Sequence, residues 1–294
     1  MASQIGIVVT GGAVRLTGSG LGCPAFPGCT DDSLVTTPEL GIHGFVEFGN
    51  RLLTFLLSAI AVVTLVAVQR LRPARRSLKV LAWILMLGIP AQALIGGWTV
   101  LTDLNPWIVM LHFMCSAVLI AVATSLVRRV DEPDGAGRPA SSPWVTRLAM
   151  VVWVLAFATL YVGTVVTGSG PHAGDPDSPR TGLDVGAMAQ LHADLVFLLI
   201  GTTIGLYVAA RAAGAPPRTV RAAGVLLGVE FAQAGIGFAQ YFTGVPVLLV
   251  GFHMLGAALI AAAATDAVLA TRVRTEVASP PPVTPQPLTT PQQR

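Results

Sequence analysis

Charge is what this sequence most lacks. Only 11% of its 294 residues are charged, against about 25% in an ordinary soluble domain, which excludes a soluble globular fold. Cysteine is scarce as well, and three residues are too few for a disulfide framework. Lysine is nearly absent: Lys79 stands alone among 18 basic residues. The net charge of +3 comes from arginines gathered in loops, so no nucleic-acid partner is expected. What remains is apolar, with 53% hydrophobic residues and a mean hydropathy of +0.70. These residues fall in blocks long enough for ~20-residue helices that each cross ~30 Å of hydrocarbon.

The blocks predict spans at roughly 44–68, 79–101, 105–127, 145–167, 185–210, 219–243 and 246–270. The segment 5–16 is too short to cross and lacks the basic start and cleavage site of a signal peptide. It reads as the tail of a truncated first helix, giving eight transmembrane helices in an all-α polytopic membrane protein. Arg70, Arg72, Arg75, Arg76 and Lys79 crowd one loop, four arginines lie within 128–147 and three within 211–221. The alternate loops are acidic, apart from Arg180. The positive-inside rule therefore places the basic loops and the C-terminal tail in the cytoplasm and Cys23 and Cys29 outside, where a disulfide between them would persist.

The chain repeats itself. QALIGGWTVLTDLNPWIVMLH (92–112) matches QAGIGFAQYFTGVPVLLVGFH (233–253), and the residues after each histidine match too. VEFGNRLLTFLL (46–57) pairs with MAQLHADLVFLL (188–199), aligning Asn50 with His192, and TGSG at 17–20 pairs with TGSG at 167–170. Such a period signals duplicated architecture. We expect two parallel four-helix-bundle repeats, 1–127 and 145–272. A cytoplasmic linker (128–144) joins them, and a disordered proline-rich tail (273–294) follows.

Asn50, His112, His192 and His253 each lie seven or eight residues inside their helices, roughly 11 Å deep. Gln92 and Gln233 come to a similar level. Two histidines at one height in the second repeat suit the axial ligation of a haem iron. Zinc is disfavoured because no further Cys or His converges, whereas helix packing or a proton relay stays open. In the first repeat His43, Glu47 and Asn50 share a helical face beside Arg51. Two readings compete there: a structural Glu47–Arg51 pair, and a substrate site with His112 as ligand and a carboxylate over an open face.

These motifs carry a resemblance. The loop GGAVRLTGSGLGCPAFPGC, followed by VEFGNR and by histidines on the fourth, sixth and eighth helices, resembles the haem A synthase family over nearly the whole chain, to about residue 270. The resemblance implies an oxidoreductase of the bacterial plasma membrane that converts the C8 methyl of haem O to a formyl group. It implies a haem b held by His192 and His253. The substrate haem would lie near His112, Asn50, Arg51 and His43, with Glu47 as the functional glutamate. Where the family has His in a Glu-x-x-His-Arg motif, this chain has Asn50. The second such loop holds His172 in place of a cysteine pair. Partners would be the lipid bilayer, haem O, the haem O synthase that delivers it and an electron acceptor, with homo-oligomerisation left open. The competing classes are a membrane cytochrome b electron carrier and a haem or quinone transporter.

Overall fold

The computed structural model describes residues 1–275. Its eight α-helices are α1 (Ala2–Leu16), α2 (Gly41–Gln69), α3 (Arg76–Leu101), α4 (Pro106–Val130), α5 (Pro143–Ser169), α6 (Val185–Ala212), α7 (Pro217–Phe242) and α8 (Val247–Ala270). All but α1 are long and apolar enough to cross a membrane, so the chain is an all-α polytopic membrane protein. The predicted spans fall within about three residues of these boundaries. The punctuation is local: Pro106, Pro143 and Pro217 open their helices, where a missing N–H costs nothing. Asn105 caps α4 by accepting from the Trp107 N–H at 3.0 Å, and Asp184 caps α6 by accepting from the Ala187 N–H at 2.6 Å.

In each half, sequential helices pack as neighbours. α1 packs on α2, α2 on α3, α3 on α4 and α4 back on α1; α5 to α8 close in the same way. This leaves α2 opposite α4 and α6 opposite α8, so residues on those helices face each other across a bundle. The halves meet where α4 packs on α8 and α5, and α1 on α8. Small residues in that seam, Ala117, Ala258 and Ala261, are buried with Val8, Ile120 and Leu160 and let the backbones approach closely. The apolar core of the second bundle, including Val152, Leu199, Leu206, Leu226 and Ile260, fills the half of the bundle away from the histidines.

The basic end is tied by charge. Glu132 in the linker receives Arg128, Arg218 and Arg274 at 3.9, 3.5 and 3.8 Å. Arg75 donates to the carbonyls of Arg129, Val130 and Glu132, covering the end of α4. Two short strands, β1 (Gly137–Pro139) and β2 (Arg272–Arg274), pair antiparallel with Arg138 opposite Val273. The start of the segment expected to be disordered is thus held by the linker's backbone. Residues 276–294, the rest of that expected tail, lie outside the described residues.

Candidate functional site

The second bundle brings together the two residues that the repeat singled out. His192 on α6 and His253 on α8 face each other with ring centroids 6.4 Å apart and planes at 74°. A metal–imidazole bond of about 2 Å on each side, added to the two ring radii, requires a separation of roughly 6 Å. Both Nδ1 atoms are buried without a hydrogen-bond partner. These atoms lie on the ring edges that pack on the preceding helices, where a Cβ at Gly163 would be 3.4 Å from one and a Cβ at Gly237 3.9 Å from the other, so they belong to the helix contacts rather than to the space between the rings. Glycine shapes the room for each ring. A Cβ at Gly163 would stand 3.0 Å from Cε1 of His192, and one at Gly237 would stand 3.3 Å from Cε1 of His253.

The first bundle repeats this construction with one substitution. His112 on α4 packs on Gly96, where a Cβ would lie 3.2 Å from its Cε1, and its Nδ1 is again buried and unpartnered. Across from it, Asn50 on α2 accepts a hydrogen bond from the Thr10 hydroxyl at 2.8 Å. Gly11 stands beside it, a Cβ there being 3.8 Å from Nδ2. All four ligand-level positions therefore face a glycine of the preceding helix, even where asparagine replaces histidine.

Glu47 and Arg51 are arranged differently from the open carboxylate drawn above. They form an ion pair at 2.6 Å, and the other carboxylate oxygen accepts the Cys23 N–H at 2.7 Å. The guanidinium also donates to the carbonyls of Ala25, Gly28 and Cys23 at 3.0, 2.8 and 2.9 Å. With its two bonds to Glu47, these occupy all five N–H groups of Arg51, leaving none for a substrate. The physical reason is the loop itself. The expected disulfide between Cys23 and Cys29 is present, both residues are fully buried, and the tight backbone it closes points its carbonyls inward. The ion pair fills that ring. Gly22 lies so close to α2 that a Cβ would collide with the His43 carbonyl oxygen. Phe26 rests on Gly97, next to the glycine beneath His112, so the loop covers the end of the first bundle. His43 is exposed there, its Nδ1 2.9 Å from the Ser19 hydroxyl, and does not reach the bundle interior.

Sequence reasoning noticed the repeated glutamines and not their task. Gln92 donates to the His112 carbonyl at 3.0 Å and Gln233 to the His253 carbonyl at 2.8 Å, fixing the height of each ligand helix. It missed Glu230 altogether, although a single acid inside the span 219–243 was a visible signal. The carboxyl of Glu230 is buried and accepts from the Thr203 hydroxyl at 2.9 Å. His172 turns out to be a connector: its Nε2 lies 2.9 Å from the Val245 carbonyl oxygen, and its own carbonyl accepts from Arg15.

Fold and site together define a multi-pass helical membrane protein built from two related bundles, one with an opposed histidine pair and one with a single histidine beneath a disulfide-closed loop. The sequence matches the model of the COX15-CtaA family, described as cytochrome oxidase assembly protein, over residues 1–265, and the chain belongs to that family. Among its relatives, a protein of Halalkalibacterium halodurans named "Heme A synthase" is 28% identical over 173 residues, 56% of each chain. Proteins of the same name from Listeria welshimeri and Lysinibacillus sphaericus are 31% identical over 165 residues (54% of each chain) and 30% identical over 189 residues (61% of this chain, 60% of that protein). The chain thus spans little more than half the length of the curated relatives it matches.

Proposed function

We propose that this protein is a haem A synthase, oxidising the C8 methyl of haem O to a formyl group by two hydroxylations with water, each passing two electrons to an electron acceptor and releasing two protons, followed by loss of water. The observation that carries this reading is the unequal pair of sites in a chain whose relatives bear that name. One site is symmetric, as a resident cofactor needs; the other is asymmetric and covered by a closed loop, as an exchanging substrate needs. The resident group is a haem b. The residues would fit it: His192 and His253 face each other at the separation that two imidazoles holding one metal need, and Gly163 and Gly237 leave room for both rings. Bound there, it would supply one-electron redox chemistry.

The first bundle takes haem O as substrate, with His112 as its protein ligand and Asn50 on the opposite wall. Glu47 acts beside it, held in register by Arg51 and the Cys23 N–H. A fixed carboxylate near a reacting methyl stabilises positive charge that develops there and orients an attacking water. Arg51 does not bind substrate in this reading. It positions Glu47 and the loop, and His43 anchors the loop through Ser19. The first repeat (1–127) and the second (145–272) thus divide the work, joined by the linker 128–144. The protein lies in the bacterial plasma membrane with the Cys23–Cys29 loop outside and the basic end in the cytoplasm.

The test is chromatography of haems extracted from a host that makes haem O, with and without this protein. Haem A should appear only with it. A membrane cytochrome b electron carrier, the reading that the His192–His253 pair alone would favour, adds haem B and leaves haem O unconverted.

A further inference from the structure

The second bundle buries an acid for which the reaction above has no use. Glu230 on α7 is 2% exposed. One carboxyl oxygen accepts from Thr203 on α6 at 2.9 Å, and the other, Oε2, is buried without a partner. The matching position in the first bundle is Ile89, so the acid belongs to one site only. Its height is fixed by its neighbour. Gln233 holds the His253 carbonyl, and Glu230 lies on the same helical face one turn nearer the basic end, about 10 Å along the axis from Gly237, the glycine that packs on the His253 ring.

No cation among the described residues reaches it. α7 packs on α6 and α8, whose titratable or charged groups are His192, Asp194, Tyr207 and Arg211 on α6, and His253 and Asp266 on α8. Asp194 is exposed and bonded by Gln190, Arg211 is exposed and donates to Tyr207, and Asp266 pairs with Arg128. On α7 itself, Arg218 pairs with Glu132, Tyr241 is exposed at the far end, and Arg221 is exposed roughly 14 Å below along the axis. A buried carboxylate without a counter-charge is expensive in a membrane interior. The nearest place inside the bundle where the fold can bring positive charge is the space between His192 and His253, about 10 Å away along the axis, a distance over which charges still interact in a low-dielectric interior.

We propose that Glu230 is the charge-compensating group of the haem held by His192 and His253, carrying a proton on Oε2 when the iron is ferrous and releasing it when the iron is ferric. This rests on the haem b reading above. Glu230 binds one proton from water for each electron that the substrate passes to this site as it is oxidised, and returns the proton to water when the electron leaves for a one-electron acceptor. Only the O–H bond is made or broken. The coupling keeps the net charge of the bundle constant, where an uncompensated change would be costly.

The test is a redox titration of the purified, haem-loaded full chain across pH, with Glu230→Gln beside the wild type. The wild-type midpoint potential should fall as pH rises, approaching a tenfold change in the reduction equilibrium per pH unit, about 59 mV for a one-electron couple. Glu230→Gln keeps the bond from Thr203 and cannot ionise. Its potential should be flat, equal to the wild type in acid and above it in alkali. A reduced-minus-oxidised infrared spectrum should show a carboxylic-acid carbonyl band in the wild type that Glu230→Gln lacks. A flat wild-type potential, or the same slope in Glu230→Gln, overturns the proposal while leaving the haem site intact. Absence of a low-spin haem spectrum overturns both. Should Glu230→Gln fail to accumulate, the wild-type infrared spectrum decides alone, and no redox-linked carboxylic band overturns the assignment.

Discussion

The two bundles use one plan and differ in three features. In the second, an imidazole on α6 meets an imidazole on α8, and a buried acid lies about 10 Å nearer the basic end. In the first, the α8 imidazole has its counterpart in His112, while asparagine stands where His192 would be and an ion pair stitches a disulfide-closed loop over the top. The glycines that make room for the rings persist at all four places. The difference teaches that the glycine-backed positions are shared and the side chains set on them are not. In the function proposed above, the symmetric pair retains a resident group, whereas one histidine and an amide hold a group that must enter and leave.

The comparison breaks most sharply at the histidine pair. Replacing His192 or His253 by Ala should abolish the low-spin haem spectrum of the purified protein, because one axial ligand is gone. Unaltered absorption in both variants would remove the pair from the site. Next comes Glu47. Glu47→Gln retains an oxygen for Cys23 or Arg51 and loses the charge, so haem A production should drop on the order of 100-fold while the spectrum of the second bundle persists. Joint loss of spectrum and product would show the Glu47–Arg51 pair to be purely structural.

Asn50→His sharpens the comparison from the other side. Gly11 leaves the space that each histidine enjoys elsewhere, so a second low-spin haem should stay with the purified variant and turnover should slow. An unchanged haem content per chain would show that the two cavities are not equivalent. The smallest effect belongs to the bridge. Cys23→Ser with Cys29→Ser should lower stability by about 3 kcal/mol or less, as expected for so short a loop. It should leave the second bundle's spectrum untouched. Thermal unfolding and spectroscopy of the same sample check both, and a lost haem spectrum would mean that the loop supports both halves.

Much of this was legible in the sequence because hydrophobic blocks and internal repeats are one-dimensional signals. Span boundaries, the duplication and the levels of His112, His192 and His253 follow from residue counting and helical rise. The partners of Glu47 and Arg51 did not. Helical periodicity places the two residues one turn apart, but the carbonyls of Ala25, Gly28 and Cys23 converge only after the loop is folded and cross-linked. Arg51 consequently looked like a substrate ligand when its donors serve the backbone. His43 shares a helical face with Glu47, yet it sits where α2 emerges beside Ser19. Glu230 went unread for another reason: repeat matching rewards positions alike in both halves, and this acid has an isoleucine opposite it.

The division of labour is tested most directly by the pigments that stay with two purified variants, His112→Ala and His192→Ala, made in a host that supplies haem O. The account predicts haem B alone in His112→Ala, at about one per chain, with haem O and haem A both absent. In His192→Ala the retained haem B should be lost. The same pigments in the same amounts from both variants would contradict it.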